Sequence, residues 1–289
     1  MSNSKIAVLI DSGCDLDEKL ISRYHIWTVG LKIIYPEKMY TDGIDIQPET
    51  VYERFPSVIP KTSTPNSQDV LEVAKKIREA GYDSIIAVTI SSGLSGTWSS
   101  ICTAFHEIED MKTFVFDTKN ISIGAGTFAV WAAQKIEEGL EFEQITEALK
   151  KKTEDSKLYY YMDTLDYLAK GGRITPSIAI VGKILHLKPI IACNPEGIYY
   201  TVAKIRGSAN GIRRLMEIAL SAAATASSAG GKLWFSVMYG GNPGESDRAE
   251  KTFLASFPDA ILIVKKQITA SMAIHTGPGL LGISVFRAD

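Results

Sequence analysis

Residues 89–100, with the sequence TISSGLSGTWSS, connect a predicted strand to a predicted helix. Residues 85–88 form a short apolar run, which is typical of a buried parallel strand. From Trp98 onward, apolar residues recur at helical spacing. The first N–H groups of a helix favour an anion, and open α/β sheets bind ligands at the carboxyl ends of their strands. This stretch therefore predicts a site for a carboxylate or a phosphate.

The same alternation of strands and helices extends over the first half of the chain. An apolar strand over residues 5–11 is followed by a helix and by a second predicted strand over residues 26–34. This pattern predicts an α/β domain with a parallel sheet. Beyond residue 156 the pattern becomes α+β with mixed strands, and no low-complexity linker intervenes. We therefore predict two closely packed domains, 1–156 and 157–289.

Composition narrows the class of protein. The 289 residues are 45% hydrophobic and carry a net charge of −2, so we expect no nucleic-acid partner. The sequence has no apolar run of 18 residues, and its first residues do not resemble a signal peptide. Its three cysteines are far apart and odd in number, as expected for reduced thiols. These features predict a cytoplasmic protein.

Ser95 is open to three interpretations. Residues 93–97, GLSGT, nearly match the G-x-S-x-G turn that presents the nucleophile of serine hydrolases, except that Thr97 replaces the last glycine. With His275 as base, Ser95 would then belong to an esterase or an acyl-transfer enzyme. A serine here is also a preferred cap for the next helix. The third interpretation is a hydroxyl group that binds a ligand.

Four further residues are candidates for function. Thr62 and Ser63 end a loop before a predicted helix, where they would either cap the helix or contact a ligand. His275 precedes a rigid turn, TGPG, and has either a structural or a functional role. Arg173 follows two glycines; it is either a surface residue at a helix end or a cation that meets a phosphate or a partner protein.

Two kinds of site are not indicated by the sequence. It has no histidine, cysteine or carboxylate spacing typical of a metal site. It also lacks the G-x-x-x-x-G-K-[ST] loop, which argues against a self-sufficient P-loop kinase. We therefore expect neither a metal nor a catalytic ATP site of this kind.

Seven short motifs occur in the order that is typical of the DegV family, and they span essentially the whole chain. These motifs are DSGCDL at 11–16, YTDG at 40–43, KTS at 61–63, SSGLSGT at 91–97, GGRI at 171–174, KIRG at 204–207 and HTGPG at 275–279. Each motif is weak alone, but seven in order are specific. On this basis the chain resembles the DegV family of fatty-acid-binding proteins.

The resemblance implies a two-domain α/β protein that binds one long-chain fatty acid, such as palmitate or oleate, in a buried tunnel and needs no cofactor. It implies that the hydroxyls of Thr62 and Ser95 hold the carboxylate, with His275 beside them and with Ser63 and Gly96 in the same loops. Several family members are the lipid-carrying, non-catalytic subunit of a bacterial fatty acid kinase.

In such a system, a separate ATP-dependent kinase subunit makes the acyl phosphate for phospholipid synthesis. We expect Arg173 to serve this partner or the phosphoryl transfer, and not to bind the lipid. A transient contact with a membrane would allow lipid exchange. The apolar segment 178–187 is a candidate helix for the tunnel wall, and an ordinary core helix is the alternative.

Overall fold

A computed structural model describes residues 5–55, 57–174 and 187–289. Its strands are β1 (Ile6–Asp11), β2 (Trp27–Val29), β3 (Lys32–Ile34), β4 (Met39–Thr41), β5 (Lys61–Ser63), β6 (Ser84–Thr89), β7 (Lys112–Asp117), β8 (Ser156–Tyr161), β9 (Leu187–Cys193), β10 (Tyr199–Arg206), β11 (Leu233–Tyr239), β12 (Ile261–Gln267) and β13 (Leu281–Arg287). Its α-helices are α1 (Glu18–Arg23), α2 (Pro48–Arg54), α3 (Ser67–Glu79), α4 (Thr97–Phe105), α5 (Ile123–Glu137), α6 (Phe142–Lys151), α7 (Asp166–Lys170), α8 (Ser208–Ser228), α9 (Pro243–Ser256) and α10 (Ala270–Thr276).

The first sheet is parallel and has the strand order β2-β1-β6-β7. Every residue of β1 and β6 is buried, as expected for central strands that are covered by helices on both faces. Because the strands are parallel, Asp11 and Thr89 end at the same edge, and the turn over residues 90–96 begins there. The predicted α/β fold with a parallel sheet is confirmed for this half.

The second sheet has six strands in the order β10-β9-β8-β13-β11-β12. All neighbouring pairs are antiparallel except β11 and β12. This agrees with the prediction of an α+β half with mixed strands. The strand nearest the end of the sequence, β13, lies inside the sheet between β8 and β11.

A third sheet of three short antiparallel strands, β4-β3-β5, corrects one prediction. Residues 26–34 are not one strand: β2 belongs to the first sheet, whereas β3 belongs to the third. The chain changes sheets at Gly30, where a Cβ atom would overlap the side chain of Thr41. The close approach of these two segments explains why a glycine stands at the switch.

Helix α5 joins the two halves. Its Phe128 ring meets Phe116 of β7 at 5.2 Å and Phe286 of β13 at 5.1 Å, both edge to face. One cluster of buried side chains consequently includes residues from both sides of residue 156. The sheets divide along the chain near that residue, while the domain boundary itself stays a prediction.

Two sequence predictions concern apolar helices. Among the described residues, no helix has the length and apolar character needed to cross a bilayer. The candidate wall helix at 178–187 lies outside the described residues, apart from Leu187, which begins β9.

Candidate functional site

A cavity of about 260 Å³ lies where the carboxyl edge of the first sheet meets the third sheet and α10. This volume is just below the ~300–1,000 Å³ that is usual for small-molecule sites. All six residues singled out from the sequence line it: Thr62, Ser63, Ser95, Gly96, Arg173 and His275. The sequence did not single out the other lining residues, which are Leu31, Thr64, Ile90, Leu94, Ile121, Tyr199, Ser271 and Met272.

Thr62 and Ser63 lie in β5 and do not cap a helix. The following helix, α3, is capped by Asn66, whose side chain accepts a hydrogen bond from the backbone N–H of Asp69 at 2.8 Å. The Thr62 hydroxyl oxygen instead lies 3.0 Å from Nε2 of His275. The structure therefore pairs two residues that are far apart in the sequence.

Ser95 ends the turn that leads into α4. Its hydroxyl oxygen lies 2.8 Å from that of Thr97 and accepts the backbone N–H of Thr97 at 3.3 Å. Ser95 thus ties down the first helical residue while its side chain also borders the cavity. Gly96 precedes the helix, and a Cβ atom there would touch only Thr64, at 3.4 Å.

His275 lies in the last turn of α10, so its position is set by a helix that the sequence pattern did not indicate. Burial, and then the positive charge of Arg173, lower the pKa of His275 to about 3. The imidazole is therefore neutral at pH 7. Nε2 faces Thr62, whereas Nδ1 is buried and has no hydrogen-bond partner in the described part of the chain.

Arg173 lines the cavity instead of projecting from a surface turn. Its Nη1 donates to the backbone carbonyl of Gly171 at 2.6 Å, which fixes the guanidinium beside the glycine pair. No described carboxylate forms an ion pair with it. A cation on the cavity wall, close to neutral hydroxyl groups, favours an anionic ligand.

The geometry of a serine hydrolase is not formed by the described residues. The Ser95 hydroxyl is bonded to Thr97, and His275 is bonded to Thr62. A triad also needs an acid on the second ring nitrogen, and no described residue supplies one to Nδ1 of His275. A histidine whose pKa is near 3 is moreover a weak general base at neutral pH.

A group of buried carboxylates supports the cavity from behind. Asp42 accepts hydrogen bonds from the Ser12 hydroxyl at 2.8 Å, and from the backbone N–H and hydroxyl of Ser271 at 3.0 and 2.5 Å. Asp15 accepts the backbone N–H of Thr269 at 2.8 Å. Both carboxylates therefore hold the start of α10, the helix that carries His275.

The pKa values of Asp15 and of a third buried acid, Asp11, are raised. Burial raises the pKa of Asp11 to about 7, and it raises that of Asp15 to about 6 although the charge of Lys266 opposes it. No group of described side chains has the arrangement of a metal site. These acids lie in the DSGCDL and YTDG motifs, which were visible in the sequence, but the contacts of Asp15 and Asp42 with the start of α10 depend on tertiary structure.

The model of the DegV family, described as "Uncharacterised protein, DegV family", matches residues 5–288. The chain belongs to the DegV family. A DegV domain-containing protein of Clostridium acetobutylicum is 38% identical to it over 98% of this chain and 99% of its own length.

Solved DegV structures have the same fold. A structure from Thermus thermophilus, described by its fatty acid binding, superimposes with a TM-score of 0.87 at 27% identity, and covers 98% of this chain and 99% of its own. A DegV lipid binding protein from Thermotoga maritima gives a TM-score of 0.83 at 25% identity and covers 98% of each chain. The DegV fold predicted from the motifs is thus confirmed.

Proposed function

We propose that this DegV protein binds one long-chain fatty acid and holds its carboxylate between the hydroxyls of Thr62 and Ser95. The observation that carries the proposal is the convergence of the six sequence-predicted residues on one cavity. The fatty-acid-binding and lipid-binding relatives from Thermus and Thermotoga support the same ligand class. His275, Ser63 and Gly96 complete the polar end of the site.

The acyl chain and the carboxylate of the ligand contribute differently to binding. Burial of about fifteen methylene groups contributes on the order of 12 kcal/mol before the cost of association, at ~0.8 kcal/mol for each group. A hydroxyl that donates to a carboxylate adds only ~1.5–3 kcal/mol. The acyl chain therefore dominates the affinity, and Thr62 and Ser95 fix the position of the carboxylate.

The bound carboxylate is the group that we expect to react. Neutral hydroxyl donors leave its oxygen nucleophilic, and a separate cytoplasmic, ATP-dependent kinase subunit would supply the phosphoryl group. In this proposal Arg173, on the cavity wall, stabilises the transferred phosphoryl group or the contact with the kinase. The DegV protein is the carrier of the substrate, and it exchanges the lipid during transient contact with a membrane.

Native purification followed by lipid extraction tests the binding step. We expect about one fatty acid per chain in the extract, identified by mass spectrometry. A delipidated sample should bind added palmitate or oleate, and Thr62→Val with Ser95→Ala should bind less. No lipid in the extract, together with no binding of either fatty acid, would refute the proposal.

A further inference from the structure

The ring of His275 packs directly against the backbone of Gly171. A Cβ atom on Gly171 would overlap Nδ1 of His275 and would lie 2.7 Å from Cε1. The glycine hence covers the edge of the ring that points away from Thr62. Any side chain at this position would displace the imidazole from its place beside the Thr62 hydroxyl.

Backbone conformation does not require a glycine here. Gly171 ends α7 with φ −75° and ψ −6°, values that every L-residue adopts easily. Its neighbour Gly172 differs in both respects, because its φ is +73° and a Cβ atom there would meet no described residue within 4 Å. The absence of a side chain at Gly171 is therefore required mainly by the contact with His275, since the other close atom, the Tyr167 carbonyl oxygen, would lie at 3.1 Å.

The contact also determines which ring nitrogen carries the proton. Nδ1 is buried without an acceptor among the residues that the structure describes, so a proton there would be an unpaired donor, which folded proteins avoid. Arg173 donates to the carbonyl of Gly171, the same residue that covers Nδ1. Its positive charge therefore favours a lone pair, and not a proton, on Nδ1. The proton consequently lies on Nε2, which donates to the Thr62 oxygen 3.0 Å away.

We propose that Gly171 is a positioning residue for the head-group site: it holds His275 with Nε2–H directed at Thr62. Since the Thr62 oxygen then accepts from His275, its own hydrogen is free to donate to a carboxylate. Only this last step rests on the proposed function. The position and tautomer of His275 belong to the protein itself, with or without lipid.

The first experiment measures the tautomer in delipidated protein at pH 7.5. Long-range ¹H–¹⁵N spectra of ¹⁵N-histidine-labelled protein are compared with those of His275→Gln, which identifies the signals of His275. We expect a neutral ring with its proton on Nε2. A proton on Nδ1, or a rapidly exchanging mixture, would overturn the proposal whether or not a fatty acid binds.

The second experiment tests Gly171 itself. In Gly171→Ala we expect the His275 signals to move toward a mixture of tautomers and the palmitate dissociation constant to rise at least tenfold. The matched control is Gly172→Ala, which strains the same loop without touching the ring and should leave the His275 signals unchanged. Unchanged His275 signals in Gly171→Ala would refute the positioning role.

A third comparison remains decisive if Gly171→Ala does not fold. The amide nitrogen of glutamine reaches the place of Nε2, whereas that of asparagine matches Nδ1. The dissociation constant of His275→Asn should be at least tenfold higher than that of His275→Gln. Equal affinities of the two variants would contradict a requirement for Nε2–H.

Discussion

At the scale of single residues, the contributions of the Thr62 and Ser95 hydroxyls to fatty acid binding should be measurable one at a time. Thr62→Val keeps the shape of the side chain, so loss of one hydrogen bond to a carboxylate should weaken fatty acid binding by ~1.5–3 kcal/mol, or roughly 10–100-fold. Ser95→Ala should have a similar effect. Thr103→Val is the control, because that exposed hydroxyl donates to the Ser99 carbonyl within α4 and does not line the cavity described above. Titration with palmitate measures all three variants.

Arg173 should affect phosphoryl transfer more than binding. We expect Arg173→Ala to change the fatty acid dissociation constant by less than about threefold, or under ~1 kcal/mol. Acyl phosphate formation with a cognate kinase should fall at least tenfold, because the cation that meets the phosphoryl group is lost. If lipid affinity collapses while the kinase reaction at saturating lipid stays normal, Arg173 belongs to the head-group site.

His275 should give stability a defined dependence on pH. Its pKa falls from an ordinary 6.5 to about 3 on folding, so between these values the unfolded chain holds a proton that the native state lacks. The stability that comes from the neutral ring is present above pH 6.5 and is lost as the pH falls. Relative to His275→Gln, the wild type should lose about 1.4 kcal/mol per pH unit between pH 6 and 4.

Urea unfolding of the two proteins at several pH values measures this difference. The raised pKa values of Asp11 and Asp15 act in the opposite direction, because protons on those carboxyls favour the native state as the pH falls. They are present in both proteins, so the comparison cancels them. Parallel stability curves for the two proteins would show that His275 titrates normally.

At the scale of elements, α10 should depend on Asp42. Asp42→Ala leaves the hydroxyls of Ser12 and Ser271 without their buried acceptor, and we expect a loss of ~2–4 kcal/mol in the free energy of unfolding. Asp45→Ala is the control in the same loop: its exposed carboxylate pairs with Lys38 at 3.4 Å and accepts the backbone N–H of Thr41 at 2.6 Å, so its loss should cost only about 1 kcal/mol. Chemical denaturation compares the two.

The elements also show how far sequence alone could reach. Apolar runs and turn residues predicted the strands of the first sheet, because those strands are buried whatever their neighbours are. The apolar pattern continues from 26 to 34, however, and only the approach of Thr41 to Gly30 divides it between two sheets. The short α10 was equally hidden, since its start is held by the distant carboxylates Asp15 and Asp42 and not by a local side-chain cap.

The candidate site shows the same limit. The family motifs pointed to six residues, and all six line the cavity. The resemblance placed His275 beside Thr62, and the two lie 3.0 Å apart, but it did not reveal that Gly171 covers the ring, because that contact joins segments that are remote in sequence. For Arg173 the sequence left two alternatives, a surface residue at a helix end or a cation that meets a phosphate or a partner; the structure places its side chain in the cavity wall, bonded to the Gly171 carbonyl.

At the scale of the whole molecule, a bound fatty acid should stabilise the fold. A ligand at one hundred times its dissociation constant adds about 2.7 kcal/mol to the free energy of unfolding. The cavity is lined by Ser95, which follows β6 of the first sheet, and by Tyr199, which begins β10 of the second. The added stability should therefore appear as one cooperative transition. Thermal unfolding with and without oleate measures it, and two separate transitions would show that the halves unfold independently.

The interior position of β13 has a consequence for synthesis on the ribosome. While residues 281–287 are still in the exit tunnel, β8 and β11 lack the strand that joins them, and both expose open edges that invite aggregation. The helix with His275 is translated only just before that strand. A nascent chain can therefore complete the first sheet early, whereas the second sheet closes only when residues 281–287 have left the exit tunnel and paired with β8 and β11.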